Sequence, residues 1–319
     1  MSRRTLLVLR WAVFLAACAF LYLRLAEGQG NHAGWGGGLS VLSDRPLGLL
    51  GLVAAMVLLN WGIEAAKWRW LVAPVEQVGF ARAFTATIAG TALGLVTPNR
   101  TGEFAGRVLF LAPENRGPGS FATLLGSMAQ FVITLALGGI AFLLLWRGPW
   151  GHPGLDGWWG WPLAAVVALA VAGSLALYFQ PGLLQRAIRR LPWLRRLERG
   201  ALVLESYRRR DLAVVAGMSA ARYAVFCAQY IILLRVFAEI PWPQALMTVP
   251  VVYLVSTLIP TMLLSELGVR GSVAVAMFAP LGGPAAMVLL ASFGLWLVNL
   301  ALPALAGALI LLVARIRTR

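Results

Sequence analysis

The sequence predicts an all-α membrane protein with six full transmembrane helices and two opposed, broken hairpins arranged as an inverted repeat. Three observations carry that prediction. First, 60% of the 319 residues are hydrophobic and only 12% are charged, which leaves too little polar surface for a soluble fold of this length. Second, several apolar segments reach the roughly 20 residues that a helix needs to cross a bilayer. Third, two further apolar stretches are interrupted near their middles by Pro, Gly and charge, and each interruption leads into a Glu-x-x-x-Arg segment.

Met1-Ser-Arg-Arg leads into an apolar run from Leu6 to Ala26. A cleaved signal peptide shares that pattern. The length of the run, its arginines at Arg10 and Arg24, and the lack of a small-x-small cleavage site favour an uncleaved first helix. The remaining full-length candidates are 46–72, 119–146, 160–180, 211–237 and 285–313. The interrupted stretches are 80–112, broken at Thr97-Pro-Asn-Arg-Thr-Gly-Glu103, and 244–280, broken at Pro260-Thr-Met-Leu-Leu-Ser-Glu266. The pieces on either side of each break are too short to cross with ease and suit half-helices or re-entrant hairpins.

Charge sets the orientation. The loop 181–210 carries Arg186, Arg189, Arg190, Arg195, Arg196, Arg199, Arg208, Arg209 and Arg210, and short loops rich in Arg and Lys stay cytoplasmic. Counting back from that loop, and forward from Arg3, Arg4 and Arg10, puts both ends of 80–112 inside. Counting onward to the tail at Arg315, Arg317 and Arg319 puts both ends of 244–280 outside. Residues 46–146 then form one repeat half and 211–313 its inverted counterpart, with both termini cytoplasmic. Four crossings in place of two hairpins satisfy the same parity. Within the basic loop, Leu184, Ile188, Leu191 and Leu194 share one helical face over 183–199, with Pro192 limiting the helix. That pattern fits an interfacial helix on anionic lipid, a docking surface for a partner protein, or a solvated loop.

The net charge of +15 comes almost wholly from arginine, with Lys67 the one lysine. These charges sit at the ends of apolar segments and in one loop, so the natural counter-charge is an anionic headgroup, and nucleic acid is not an expected partner. Cys18 and Cys227 are isolated within apolar segments, and His32 and His152 stand alone in loops. No metal and no cofactor is expected. Asp44, Asp156 and Asp211 are scattered, and no paired-Asp motif is present, so the chain is not expected to be an enzyme.

A charge at membrane depth needs a partner or a water-filled cavity. Glu103 precedes Arg107 by four residues and Glu266 precedes Arg270 by four, which puts each pair on one helical face. Pro98 and Pro260 lie just ahead of the pairs. The paired arginines suit a lipid phosphate, since a guanidinium donates two parallel hydrogen bonds and stays charged. Asn99 and Arg100 in the first break could join such a site. The half-helices starting near Gly102 and Ser265 would aim N–H groups at it. The alternative is two ion pairs that pin the hairpins without a ligand. Among the remaining residues, Arg222 is deep in its helix and needs an explanation. Glu64 and Lys67 fit a local pair near the cytoplasmic face. Gln130, Gln229 and Asn299 fit helix-joining amides, and the Gly- and Ala-rich stretches 86–94 and 304–308 fit close helix packing. Trp158, Trp159, Trp161 and Trp242 fit interfacial anchors.

At Pro98-Asn-Arg-Thr-Gly-Glu-Phe-Ala-Gly-Arg107 the sequence resembles the flippase-like family named after the transmembrane region of lysylphosphatidylglycerol synthase. Pro98, Gly102, Glu103 and Arg107 match that family's first motif, and Pro260, Gly268 and Arg270 its second. At 271 a Gly stands where the family pattern has a carboxylate, with Glu266 on the other side of Arg270 as a stand-in. The resemblance implies an inner-membrane lipid transporter, a flippase or scramblase-like protein, that binds a phospholipid or glycolipid headgroup. The chain stops at its last helix, so lysyl transfer is not expected. An enzyme acting on lipid-linked substrates and a subunit presenting lipid to a partner are the alternatives.

Overall fold

The computed structural model describes residues 47–95, 97, 100–147, 160–190, 198–259 and 263–313, and every regular element among them is helical. Helices α1 (Leu47–Val72), α2 (Phe80–Leu95), α3 (Gly102–Val108), α4 (Arg116–Arg147), α5 (Gly160–Tyr178) and α6 (Pro181–Arg190) are followed by the single turn α7 (Glu198–Ala201). Then come α8 (Arg209–Phe237), α9 (Trp242–Leu258), α10 (Leu263–Phe278), α11 (Ala285–Trp296) and α12 (Leu302–Val313). Five stretches among the described residues are long and apolar enough to cross a membrane: Gly48–Val72, Pro113–Trp146, Gly160–Tyr178, Arg209–Phe237 and Ala285–Val313. They coincide with five of the six segments expected to span. The sixth, 6–26 with Cys18, lies outside the described residues. So do Pro98, Asn99, Pro260, His32, His152, Asp44, Asp156, Trp158, Trp159, Leu191, Pro192, Leu194 and the tail arginines.

The interrupted stretches form short helices. α2, α9 and α10 have 16, 17 and 16 residues, and α3 only 7. A 16-residue helix is about 24 Å long, less than the roughly 30 Å of hydrocarbon to be crossed. The last span is also irregular. A π-helical turn over Leu297–Ala301 joins α11 to α12 just ahead of Pro303, whose missing N–H and ring prevent a regular α-turn there. Asn299 spends its side-chain amide on the Leu295 carbonyl at 3.3 Å.

The chain divides into two compact units, each drawn from several helices. In the described part of the first unit (47–57, 137–147, 160–165, 226–259 and 263–299), Gln229 donates to the Val53 carbonyl at 3.0 Å, joining α8 to α1. The Tyr230 and Ser292 hydroxyls meet at 2.6 Å, joining α8 to α11. Gly138 lets α4 lie against α9, since a Cβ there would come within 2.7 Å of the Leu254 Cβ. Trp161, exposed, stacks edge-on against Trp146 with ring centres 5.0 Å apart, and Trp242 is also exposed.

The second unit (58–136, 166–225 and residues from 300 onward) has its own apolar core. Trp68, Leu71, Ala86, Leu111, Leu125, Tyr178, Leu204 and Leu212 are among its buried members. Trp68 donates its indole N–H to Thr123 at 2.9 Å, and Tyr178 its hydroxyl to the Leu212 carbonyl at 2.8 Å. The Gly- and Ala-rich stretches at 86–94 and 304–308 do pack closely. Gly307 of α12 seats on the Ile88 carbonyl of α2, where a Cβ would overlap the backbone. Arg186, Arg189 and Arg190 on α6 are exposed, and Arg189 reaches Glu198 at 3.1 Å and Glu205 at 3.7 Å.

Candidate functional site: a buried ionic cluster

α1 is apolar toward its surroundings and polar inside. Leu58, Leu59 and Trp70 are exposed, whereas Asn60, Glu64 and Lys67 are buried. The spacing 60, 64, 67 puts these three on one face, and each would be costly in hydrocarbon without a partner. The partners come from α3, α4 and α8.

α3 is held tightly on α2 by glycine. A Cβ on Gly106 would lie 2.5 Å from the Gly90 Cα, and one on Gly90 would lie 2.8 Å from the Arg107 Cγ. Gly94 gives the same clearance to the Glu103 side chain. The turn between the helices is fixed by Thr97, whose hydroxyl donates to the Leu93 carbonyl at 3.0 Å and accepts the Gly102 N–H at 2.6 Å. The N–H of Gly102, expected to face a ligand, is therefore engaged within the turn. Arg100 takes a left-handed backbone conformation there, φ 58°.

This packing carries Arg107 into the polar face of α1. Arg107 Nη1 donates to Glu64 Oε1 at 2.7 Å, and its Nη2 to Glu103 Oε2 at 3.4 Å. Lys67 Nζ lies 2.7 Å from Glu64 Oε2. Arg222 of α8 adds a third cation, with Nη1 3.2 Å from the same Oε2. The Arg222 Nε donates to Asn60 Oδ1 at 2.9 Å and its Nη1 to Gln130 Oε1 at 3.4 Å, and its guanidinium stands 5.6 Å from the Trp61 ring centre. Arg100 pairs with the other oxygen of Glu103.

Among the described residues, four cationic side chains thus face two carboxylates, a formal excess of two positive charges there. Side-chain exposure rises from 2% at Lys67, 5% at Glu64 and 6% at Arg107 to 12% at Arg222, 17% at Glu103 and 39% at Arg100. The cluster runs from a closed interior to an accessible edge. The Nε of Arg107 is buried with no hydrogen-bond partner among the described residues, and an uncompensated buried donor on a cation is unfavourable. Such an arrangement is suited to accept an anion.

The expected Glu103–Arg107 pair is present, but it is not the centre. Glu64, expected to bond locally to Lys67, does so and also collects Arg107 and Arg222. Nothing in the local spacing indicates this, since the partners lie on helices far apart in the chain. Two hints were available, the depth of Arg222 in its helix and the shared face of Asn60, Glu64 and Lys67.

The second pair sits in the other unit. Arg270 Nη2 lies 2.9 Å from Glu266 Oε1, and its guanidinium is 5.5 Å from the Tyr253 ring centre. Gly268 lies between them on α10. Gly271 faces Leu289 of α11, where a Cβ would come within 2.8 Å of a methyl carbon, so a larger side chain at 271 would require Leu289 to shift. The pair is neutral and has one cation, unlike the cluster around Glu64. Among the described residues no group of His, Cys, Asp and Glu is arranged to hold a metal ion.

These features define a polytopic α-helical membrane protein with a net-positive ionic cluster buried among its helices. A family model of the lysylphosphatidylglycerol synthase transmembrane region matches residues 6–307, and the chain belongs to that family. The match covers the transmembrane region and no synthase domain. Comparison with curated proteins gives no match.

Proposed function

We propose that the protein is an inner-membrane lipid transporter, flippase or scramblase-like, that binds the phosphate of an anionic or polar lipid headgroup at the Arg100–Glu103–Arg107 edge of the ionic cluster. The observation that carries this reading is the convergence of Lys67, Arg107 and Arg222 on Glu64, with Arg107 buried and its Nε unpartnered among the described residues. A phosphate supplies the missing negative charge and accepts from the guanidinium fork. Membership of the family supports a lipid as the ligand. No step of this reading needs bond chemistry, so the protein acts as a carrier and not as an enzyme.

The architecture belonging to this reading has six spans, with 80–112 and 244–280 as opposed re-entrant hairpins, and Glu266–Arg270 as a second binding pair. The short lengths of α2, α3, α9 and α10 support it, since broken helices are how many transporters build midplane sites. The arginines of 181–210 favour a cytoplasmic loop.

The test is lipid transfer in reconstituted vesicles, read by leaflet accessibility of a labelled phospholipid. Arg107→Gln is expected to lower the rate at least about 100-fold, the order of losing one charge-assisted contact of about 3 kcal/mol. Arg107→Lys, which keeps the charge but not the fork, is expected to fall between the two. Wild-type transfer by a folded Arg107→Gln protein would refute the reading.

A further inference from the structure

Three cations from three helices converge on one carboxylate: Lys67 of α1 at 2.7 Å, Arg107 of α3 at 2.7 Å and Arg222 of α8 at 3.2 Å from the oxygens of Glu64. A single carboxylate rarely needs three cationic partners, and a local pair with Lys67 would already neutralise it. Two guanidinium groups and an ammonium around one anion is instead the arrangement that suits a phosphate. The amides agree, since Asn60 and Gln130 accept from Arg222 and aim it at Glu64.

We propose that Lys67, Arg107 and Arg222 form a phosphate cage, and that Glu64 is a built-in anion occupying it. This rests on the lipid-transporter reading and deepens it, by moving the inner end of the site from Glu103 to Glu64. The ligand class is a phosphate group, carried on a lipid headgroup or free in solution. A ligand phosphate arriving along Arg100 and Arg107 takes over the guanidinium groups as the Glu64 carboxylate gives them up. Glu64 is thus a positioning residue and a competitor. It keeps three mutually repelling cations gathered when no ligand is present, and it sets how strongly a ligand must bind to enter.

A merely structural carboxylate and a competing one differ in what their removal does to anion binding. The experiment uses the full chain in detergent, with short-chain phosphatidylglycerol as one probe and inorganic phosphate as the other. Binding is followed by native mass spectrometry and by the rise in thermal midpoint on adding the probe. Glu64→Gln is expected to bind the lipid probe at least about tenfold more tightly than wild type, because the internal competitor is gone. Adding Arg107→Gln to that variant is expected to abolish the gain. Glu64→Asp, which keeps the charge but draws it back from the guanidinium groups, is expected to tighten binding by a smaller factor and decides the matter where Glu64→Gln does not fold.

Unchanged or weaker binding in a folded Glu64 variant overturns the proposal, as does failure of both variants to fold, since the carboxylate is then a structural pin. Displacement of the lipid by millimolar inorganic phosphate assigns the cage to free phosphate. Retention of the lipid assigns it to a headgroup. The assay involves no transfer, so its outcome is distinguishable from that of the vesicle experiment. Tighter binding by Glu64→Gln with no lipid transfer by wild type leaves the cage standing and removes the transporter.

Discussion

Single carboxylates do much of the joining in this protein, and Glu76 shows how in a setting outside the spans. Its Oε2 accepts the Ala112 N–H at 2.9 Å and the Asn115 amide at 3.1 Å, and its Oε1 lies 3.0 Å from Arg82 Nη1. Arg82 in turn donates to the Phe110 carbonyl. The connection after α1 is thereby tied to the connection after α3. Partial burial pushes the Glu76 carboxyl upward, but the Ala112 and Asn115 donors and the Arg82 charge outweigh it and hold the group below its ordinary value. A carboxyl held down in the folded state adds stability above its unfolded pKa of about 4.3, and that contribution fades as pH falls through the folded value. Glu76→Gln is expected to lower stability at pH 7 by about 1–2 kcal/mol. The difference from wild type, read as thermal midpoints in detergent, is expected to shrink toward zero as pH drops below about 4. A gap that is constant with pH would mean that the charge contributes nothing. At this scale the sequence is readable only where partners are close along the chain. Glu103 and Arg107 are four residues apart and were legible as a pair. Glu64 reaches Arg107 and Arg222 through the packing of α1, α3 and α8, and no local spacing records that.

Helix-scale features were more legible, because hydrophobic length and breakers act locally. The five long spans and the four short helices of the interrupted stretches fall where apolar length and the Pro-, Gly- and charge-containing breaks put them. The glycines were legible only as a tendency. The sequence says that 86–94 is rich in small residues, but not that Gly90 opposes Gly106 across the α2–α3 contact or that Gly94 makes room for Glu103. Those pairings make a contrast between two glycines informative. Gly106→Ala places a methyl group 2.5 Å from the Gly90 Cα, with backbone on the other side and no flexible side chain to give way. It is expected to cost about 1–3 kcal/mol by overpacking and to slow lipid transfer, because α3 carries Glu103 and Arg107. Gly217→Ala on α8 meets nothing within 4 Å and is expected to be neutral, or stabilising by up to about 1 kcal/mol through helix propensity. Thermal midpoints and transfer rates of the two variants check this. Equal behaviour would mean that the α2–α3 contact does not hold the arginine in place.

For the molecule as a whole, the deciding quantity is where the charge lies along the chain. The +15 net charge is concentrated in segments that flank the spans, above all Arg186–Arg210. By contrast, the stretch from Ala238 to Leu263 contains only Glu239 as a charged residue. Each Arg near a span resists translocation, whereas Glu contributes little to topology. The loop after α5 is therefore expected on the cytoplasmic side, and the connection between α8 and α9 on the other. The spans between these points fix the parity. α8, at 29 residues, is long enough to cross once between Arg209 and the exposed Trp242, whose ring is then expected at the far interface. Single cysteines at Glu205 and Gln244, in a background with Cys18 and Cys227 changed to Ser, test this in intact cells. Gln244→Cys is expected to react with a membrane-impermeant maleimide from outside. Glu205→Cys is expected to react only after the membrane is opened. Labelling of both from the same side would require α8 to turn back within the membrane, and the inverted arrangement of the two hairpins would fall with it.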